Sequence, residues 1–478
     1  MNILIRIAGE IILKSGPVSR RFQKRLHTNL KAALKKENIS FTLQGRWARL
    51  WLQTEDPRAL DLVRRIFGVH AFSLIEHECS ADLATIVAEG AAFYKERIRG
   101  QTFAVQTHRV GQHSFNSMDV SRELGSALNI GNEPSLVKLR NPQVTVYVEI
   151  RDERAYFYRD TLPGAGGLPI GTGGGCVSLV SGGFDSTVAS WMMQKRGLSL
   201  HYLFCNLAGE ANERTVLQVV TTLVHRWSYG DWPRIHIIDF QPVVAEILAK
   251  VSTPFSQVIL KCLFYMVAEK LAHETEALGI ITGESLGQVS SQTLANLNAI
   301  SSSIRVPIYR PLISFDKVDI IHLSRSIGVY QESAKVKEYC QIVPQKPVTA
   351  CSPERAHEEL AKLDLAILDK QFTERKILTL LQMNGAELLC SNVFADRIPD
   401  DAIVIDCQTE DQFERWHDPR AKHWDFYDLL TKYRSFAKDK TYLIYCTFGM
   451  QSAVLAEKMQ SEGYRAFSLR GGINQISS

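Results

Sequence analysis

The alternation of short apolar runs with helical stretches between residues 176 and 345 is the feature that most constrains the fold. The runs are CVSLV, SLHYLFCNL, RIHIIDF and ALGIITG, and stretches with a helical pattern, such as STVASWMMQKRG, separate them. Strands that alternate with helices predict a parallel sheet covered by helices on its faces. Because ligands of such sheets bind beyond the carboxyl ends of the strands, we expect a binding site where these strands end.

A Gly-rich turn follows the first run, in the stretch SLVSGGFDSTVASW at residues 178–191. The order of strand, tight turn and helix start is typical of a phosphate site, because backbone N–H groups and the helix dipole attract anions. The lysine of a Walker A loop is missing, and Asp185 stands in the turn. The pattern SGGFDS fits the pyrophosphate loop of ATP pyrophosphatases, in which Mg²⁺ can bridge an aspartate to the phosphates. The alternative is a structural turn without a ligand.

The rest of the chain divides into shorter α/β segments. Phe22, Leu26, Leu30 and Leu34 form an apolar helical stripe between strand-like runs, which predicts a small ferredoxin-like unit. The expected architecture is an α/β multidomain chain: a ferredoxin-like domain at 1–56, a second α/β unit at 57–161, a Gly/Pro linker at 162–175, the parallel-sheet domain at 176–345, a helical spacer at 346–393 and a last α/β unit at 394–478.

Positive charge is concentrated at the N-terminus. Residues 1–60 contain 12 Lys or Arg and 4 Asp or Glu, whereas the whole chain has a net charge of only +4. Arg20, Arg21, Lys24 and Arg25 lie largely off the apolar stripe. A basic surface of this kind predicts a polyanionic partner. The alternative interpretation is a solvated helix face.

The nine cysteines are irregularly spaced and include no CxxC pair, which argues against a disulfide framework or a zinc site. Cys446 ends an apolar run and precedes a helical one, a position where backbone N–H groups and the helix dipole stabilise a thiolate. The alternative is an ordinary buried cysteine. The sequence has no apolar run long enough to cross a membrane and no signal-peptide pattern at MNILIRIAGE, so we expect a cytoplasmic protein without a membrane partner.

Further motifs accompany the Gly-rich turn. They are GQHSFNSMDVSRELG (111–125), NPQVTVYVE (141–149), TGESLGQVSSQTLANL (282–297), RPLISFDK (310–317) and EYC (338–340). Together with SGGFDS and Cys446, and over nearly the whole chain, they resemble the tRNA 4-thiouridine synthetase family. The resemblance implies a ferredoxin-like domain, a THUMP domain, a PP-loop ATP pyrophosphatase domain and a rhodanese-like domain. It also implies ATP-dependent transfer of sulfur to a tRNA uridine, and sulfur supply for thiamine thiazole synthesis.

The resemblance assigns roles to matching positions. Asp185 and Lys317 match positions required for activity, and Asp185 would hold Mg²⁺. Cys446 would carry a persulfide, and Cys340 would form a disulfide with it during turnover. The implied partners are tRNA, a cysteine desulfurase as persulfide donor and a sulfur-carrier protein of thiamine synthesis, while a homodimer is left open. The implied ATP-binding residues are Leu179, Val180, Ser181, Gly182, Gly183, Asp185, Ser186, Lys261, Gly283 and Gln292.

The C-terminal part departs from the family pattern. Phe448 and Gln408 stand where the family has arginines that would stabilise an anion near Cys446. Cys351 is a rival of Cys340 for the role of resolving thiol. The missing arginines leave open a non-catalytic tRNA-binding protein with a degenerate rhodanese tail. A second alternative is a PP-loop ligase that acts on a small metabolite, which would not need the RNA-binding front half.

Overall fold

A computed structural model divides the chain into two units, Met1–Thr172 and Gly173–Ser478. The structure describes residues 1–46, 49–130, 136–207, 209–336, 346–383, 393–447, 449–470 and 472–475. None of the helices in these ranges is long and apolar enough to span a membrane.

The first unit combines strands and helices, which are numbered along the chain. Its strands are β1 (Asn2–Ile7), β2 (Thr42–Arg46), β3 (Arg49–Gln53), β4 (Val69–Ile75), β5 (His77–Ser80), β6 (Thr102–Val110), β7 (Leu136–Val137), β8 (Val144–Arg151), β9 (Arg154–Tyr158) and β10 (Leu162–Pro163). Its helices are α1 (Gly9–Ile12), α2 (Gly16–Lys36), α3 (Arg58–Arg64), α4 (Leu83–Ile98) and α5 (Ser117–Asn129).

Helix α2 has the two faces that its sequence predicts. Phe22, Leu26, Leu30 and Leu34 are buried in the core, which confirms the apolar stripe. The opposite face carries cations that are exposed or half-buried: Arg20, Arg21, Lys24, Lys31, Lys35 and Lys36. Arg25 differs from these, because its Nε donates a hydrogen bond to the Ile170 carbonyl at 2.7 Å. One cation of the basic face therefore has a structural role.

The two sheets of this unit differ from the expected domain boundaries at residues 57 and 162. The first sheet has the order β10-β4-β1-β3-β2, and the second has the order β5-β9-β8-β6-β7. Strand β4 pairs with β1, so the segment directly after residue 57 completes the first sheet rather than opening the second α/β unit. Strand β10 pairs with β4, so the expected linker at 162–175 begins inside a sheet. Pairing partners far along the chain, which no local pattern encodes, set both boundaries.

The second unit contains the strands β11 (Gly175–Leu179), β12 (Ser199–Asn206), β13 (Arg234–Asp239), β14 (Ile280–Ile281), β15 (Ile308–Tyr309), β16 (Lys376–Thr379), β17 (Phe394–Ala395), β18 (Ile403–Asp406), β19 (Lys422–His423), β20 (Thr441–Tyr445) and β21 (Arg465–Leu469). Its helices are α6 (Phe184–Gln194), α7 (Gly209–Trp227), α8 (Gln241–Lys250), α9 (Ser256–Glu274), α10 (Leu294–Ser301), α11 (Lys317–Ile327), α12 (Tyr330–Ser333), α13 (Pro353–Leu360), α14 (Ala366–Thr373), α15 (Glu410–Arg415), α16 (Phe426–Lys432) and α17 (Met450–Ser461). Short 3₁₀ turns lie at Thr253–Phe255, Ser290–Gln292, Leu380–Gln382, Tyr433–Ser435 and Gly472–Gln475.

The larger sheet of this unit confirms the expected parallel arrangement. Its order is β15-β14-β11-β12-β13-β16, and the first five of these strands pair in parallel. Strand β16 pairs antiparallel with β13 at the edge. The segment expected as a helical spacer contains the helices α13 and α14, but it also supplies this edge strand and packs Cys351, Ala356 and Leu368 into the main core. It is thus an integral part of the sheet domain.

The smaller sheet lies in the C-terminal part of the unit. Its order is β17-β21-β20-β18-β19, and its pairs are parallel. Helix α17 follows the central strand β20 and places Ala453, Leu455 and Met459 in the core of this part. The expected last α/β unit is therefore present.

Candidate active site

The turn between β11 and α6 is shaped to expose backbone N–H groups. Gly182 has φ +77, a left-handed conformation that favours glycine, and a Cβ there would lie 3.2 Å from Val216 Cγ2. Gly183 is the N-cap of α6, and no side-chain hydrogen bond caps this end of the helix. Because the first N–H groups of a helix lack intrahelical acceptors, this turn suits the oxygens of a phosphate chain.

A second loop packs against this turn from the carboxyl end of β14. A Cβ at Gly283 would lie 2.5 Å from the carbonyl carbon of Asp185 and 2.5 Å from the backbone nitrogen of Ser186. No side chain fits into this space, so only glycine permits the contact. This close approach is the physical reason for the glycine in TGES.

A cavity of about 680 Å³ lies at this edge of the sheet. Its size is in the range of small-ligand sites. The two loops and helix α9 line the cavity. The expected residues among its lining are Leu179, Val180, Ser181, Asp185, Ser186, Lys261, Gly283 and Gln292. Gly182 and Gly183 lie in the turn, and Lys317 contacts Asp185 from α11.

Asp185 is held by two side chains from different elements. Nζ of Lys317 donates to Oδ1 at 2.6 Å, and Nε2 of Gln288 donates to Oδ2 at 2.8 Å. The structure thus brings together Asp185 and Lys317. Sequence reasoning did not single out Gln288, although it lies within the motif TGESLGQVSSQT.

A buried carboxylate holds Lys261 at the cavity. Glu284 is 5% exposed and accepts from Lys261 Nζ at 3.1 Å, from Arg310 Nε at 2.8 Å and from the Tyr265 hydroxyl at 2.5 Å. Burial alone would raise the pKa of Glu284, but the charges of Lys261 and Arg310 outweigh it and hold this pKa at about 2. Glu284 is therefore ionised at neutral pH and fixes the ammonium group of Lys261. None of these contacts to Glu284 was expected, because its partners come from separate segments of the chain.

The residues at the cavity fit a metal that arrives with a nucleotide. The described part of the chain contains no group of three or more His, Cys, Asp or Glu side chains that could hold a metal by itself. Mg²⁺ keeps several waters and needs only one or two protein carboxylates when phosphates supply its other ligands. Asp185 lines the cavity and is such a carboxylate.

Comparisons with known proteins match the chain over its whole length. Family models match the ThiI ferredoxin-like domain at residues 2–73, the THUMP domain at 80–160, the thiamine biosynthesis protein (ThiI) at 171–365 and the rhodanese-like domain at 392–478. A tRNA sulfurtransferase of Desulfurococcus amylolyticus is 37% identical over 474 residues, which cover 98% of this chain and 97% of that protein. The chain belongs to the tRNA sulfurtransferase (ThiI) family.

Other members and a solved structure agree with this assignment. The tRNA sulfurtransferase of Colwellia psychrerythraea is 34% identical and aligns with 97% of this chain and 99% of its own length. A crystal structure of a 4-thiouridine synthetase–RNA complex with bound ATP matches with a TM-score of 0.69 and 29% identity. The match covers 79% of this chain and 99% of that chain. A structure of PH1313 from Pyrococcus horikoshii, at 24% identity and a TM-score of 0.53, shares the fold.

In the rhodanese domain of this ThiI family member, Cys446 directly follows β20 and precedes α17. The residue is 2% exposed and belongs to the core cluster of the domain. The hydroxyl of Ser452, in the first turn of α17, donates to Cys446 Sγ at 3.6 Å. The expected place of this cysteine at a strand end before a helix is confirmed.

Gln408 has defined hydrogen-bond partners at the position where the resemblance implies an arginine. Its backbone N–H and its Nε2 both donate to the Asp406 carboxylate, at 2.8 and 3.1 Å. The Thr447 hydroxyl, next to Cys446, donates to Gln408 Oε1 at 3.3 Å. Gln408 thus holds Thr447, the neighbour of Cys446, by a hydrogen bond and brings no charge to this site. Phe448 lies outside the described residues.

Two cysteines, Cys340 and Cys351, were expected as candidates for the role of resolving thiol. Cys340 lies outside the described residues. Cys351 is 2% exposed, its N–H donates to Asn296 Oδ1 at 2.9 Å, and burial raises the pKa of its thiol. Burial is shared with Cys446 and does not separate the two thiols, but the raised pKa lowers the thiolate fraction of Cys351 and disfavours it as the resolving thiol.

Proposed function

We propose that this chain is an ATP-dependent tRNA sulfurtransferase that converts a uridine at the junction of the acceptor and D stems into 4-thiouridine. The observation that carries the proposal is the environment of Asp185. A carboxylate lies where a Walker A loop has a lysine, and Lys317 holds it at 2.6 Å. Because the turn carries SGGFDS, the pattern of a pyrophosphate loop, and lacks the Walker A lysine, it supports release of pyrophosphate rather than transfer of the γ-phosphate.

In the first step the uridine is activated. The turn at Ser181–Ser186 binds phosphate oxygens, and the ammonium groups of Lys261 and Lys317 offset the charge of the departing pyrophosphate. The uridine O4 attacks the α-phosphate, and the bond between the α- and β-phosphates breaks. The adenylated oxygen then leaves as AMP far more readily than an unmodified carbonyl oxygen could. Mg²⁺ bound with ATP would screen the phosphate charge, with Asp185 as its protein ligand.

In the second step sulfur reaches the base. The outer sulfur of a persulfide on Cys446 attacks C4 of the adenylated uridine, and AMP departs. The thiolate of Cys340 then attacks Cys446 Sγ, so that a Cys340–Cys446 disulfide forms and the thiolated base is released. A reductant supplies two electrons to restore the two thiols. A cysteine desulfurase would reload Cys446, and a sulfur-carrier protein of thiamine synthesis would be an alternative acceptor.

The first unit supports binding of the RNA. Its exposed cations on α2, among them Arg20 and Arg21, suit contacts with phosphates. Folded RNA is recognised largely through its shape and its backbone, because side chains cannot read the narrow major groove of an A-form helix. A ferredoxin-like domain followed by a THUMP domain provides such a surface, which a ligase for small metabolites would not need.

The test is thiolation of a tRNA transcript by the wild type and by Asp185→Asn, with ATP, Mg²⁺, a cysteine desulfurase and cysteine. We expect the variant to lose 4-thiouridine formation and tRNA-dependent pyrophosphate release by at least a hundredfold, while its affinity for tRNA stays within twofold. Asp319→Asn, an exposed carboxylate on α11, is the matched control. Normal pyrophosphate release by Asp185→Asn would overturn the assignment, and so would the absence of 4-thiouridine with the wild type.

A further inference from the structure

A carboxylate of the rhodanese domain caps a helix of the ATP domain. Glu457 Oε2, on α17, accepts a hydrogen bond from the backbone N–H of Ala211 at 2.8 Å. Ala211 is in the first turn of α7, and Arg214 Nη2 of the next turn lies 3.7 Å from Glu457 Oε1. Ala211 and Glu457 are 246 positions apart and connect two parts of the chain that match different family models.

The N-terminus of α7 is a favourable place for the Glu457 carboxylate. A helix N-terminus carries partial positive charge and exposes N–H groups, so a carboxylate is stabilised there. Gly209 has φ +82 and starts the helix, and a Cβ at this position would lie 3.2 Å from Glu457 Oε2. The Glu457 side chain is 22% exposed, and its pKa is raised by burial and by the charge of Glu210, which the Ala211 N–H and the charge of Arg214 offset only in part. The glycine leaves room for the carboxylate at the helix start.

The same helix start adjoins both reactive regions. Asn212 lines the ATP cavity, and its Nδ2 donates to Asn206 Oδ1 at 3.3 Å. Asn206 Nδ2 in turn donates to the Gly209 carbonyl at 2.8 Å. On the other side, Ala211 is 1% exposed and belongs to the apolar core cluster that contains Cys446. The first turn of α7 therefore lies between the cavity and the core around the persulfide cysteine.

We propose that Glu457 is a positioning residue for sulfur delivery, which docks the domain of Cys446 on the first turn of α7 at the rim of the ATP cavity. The inference rests on the proposed function. Glu457 touches no reacting atom; it fixes the orientation of α17, which begins just after the Cys446 loop. Loss of the carboxylate should leave the ATP site and the Cys446 site intact. It should slow only the transfer of sulfur from Cys446 to the activated uridine.

The test uses the full-length chain with two sulfur sources. Thiolation driven by excess free sulfide needs the ATP site but no persulfide on Cys446, whereas thiolation driven by a cysteine desulfurase needs the docked relay. For Glu457→Ala we expect the desulfurase-driven rate to fall at least tenfold. The sulfide-driven rate and the amount of persulfide that the desulfurase loads on Cys446, measured by mass spectrometry, should each stay within twofold of the wild type.

Two further variants sharpen the result. Glu457→Gln retains an oxygen that can accept from the Ala211 N–H, so it should recover at least part of the lost rate. Glu414→Ala removes an exposed carboxylate of the same domain and should behave as the wild type. The inference is overturned if Glu457→Ala keeps its desulfurase-driven rate, or if it loses sulfide-driven thiolation or persulfide loading to the same extent. Failure of both desulfurase-driven and sulfide-driven thiolation in the wild type would instead count against the proposed function.

Discussion

Lys317 donates a hydrogen bond to Asp185 at 2.6 Å across 132 residues of sequence, and Gln288 occupies the other carboxylate oxygen. The two hydrogen bonds therefore fix the orientation of the Asp185 carboxylate at the edge of the cavity. A carboxylate fixed in this way loses little freedom when phosphate and metal arrive, because its orientation is set in advance.

Removal of Gln288 should loosen Asp185. Hydrogen bonds to charged groups contribute about 1.5–3 kcal/mol, so Gln288→Leu should slow adenylation of the uridine by about tenfold or more. The measurement is single-turnover release of pyrophosphate in the presence of saturating ATP and tRNA. Gln331→Leu, at an exposed site on α12, is the control and should not change the rate. An unaltered rate in Gln288→Leu would show that Lys317 alone orients the carboxylate.

The Glu284 network should make the stability of the ATP domain depend on pH. The pKa of Glu284 is about 2 in the folded chain and ordinarily 4.5. A depressed pKa contributes stability that is complete above the unfolded value and is lost as the pH falls towards the folded value. The contribution is on the order of 3 kcal/mol at neutral pH, and roughly 1 kcal/mol of it is lost by pH 4.

A double comparison isolates this contribution. Glu284→Gln cannot titrate at this position, so the difference in thermal stability between the wild type and Glu284→Gln should shrink as the pH falls from 7 to 4. Calorimetry of both proteins at several pH values measures this difference in thermal stability. The variant should also bind ATP more weakly at pH 7, since Lys261 loses its anchor. A stability difference that is constant with pH would contradict the ionised state of Glu284.

The cations of α2 should contribute to the salt dependence of tRNA binding. Replacing Arg20, Arg21 and Lys24 by Gln should reduce the slope of log affinity against log salt by up to about 1 for every phosphate that the helix no longer neutralises. Arg25 is left in place because it bonds to the Ile170 carbonyl, and its loss would disturb the fold. The control replaces three exposed cations of the rhodanese domain, Arg415, Lys422 and Lys440. Equal slopes for both triple variants would mean that α2 is only a solvated face.

One turnover without reductant should leave a disulfide between Cys340 and Cys446. Cys351 is buried and its pKa is raised, so Cys351→Ser should still form this disulfide. Non-reducing peptide mapping after a single turnover identifies the bridge. A bridge between Cys351 and Cys446 would transfer the resolving role to Cys351. Sustained thiolation with no modified cysteine would show that the relay does not operate.

Sequence patterns predict what is local and miss what depends on distant partners. The SGGFDS turn and the stripe of α2 were predictable because each is set by neighbouring residues. The contacts of Glu284 join side chains from α9, the loop after β14 and the segment after β15, and no spacing rule relates these segments. Gln288 could have been found, since it lies within the most specific motif. The cap on α7 by Glu457 depends on domain packing alone.

Strand β16 forms the edge of the larger sheet, next to β13. It pairs along Arg234–Ile237 of β13 and thereby covers the backbone groups that would otherwise end the sheet. A fragment that stopped at residue 345 would expose this row of N–H and C=O groups, and a bare strand edge recruits other chains into intermolecular sheets. Strand β16 is itself the last strand of the sheet, but it is only four residues long and carries Lys376, and short edges with lysine recruit other chains less readily. Any truncation of the rhodanese domain should therefore retain Lys376–Thr379.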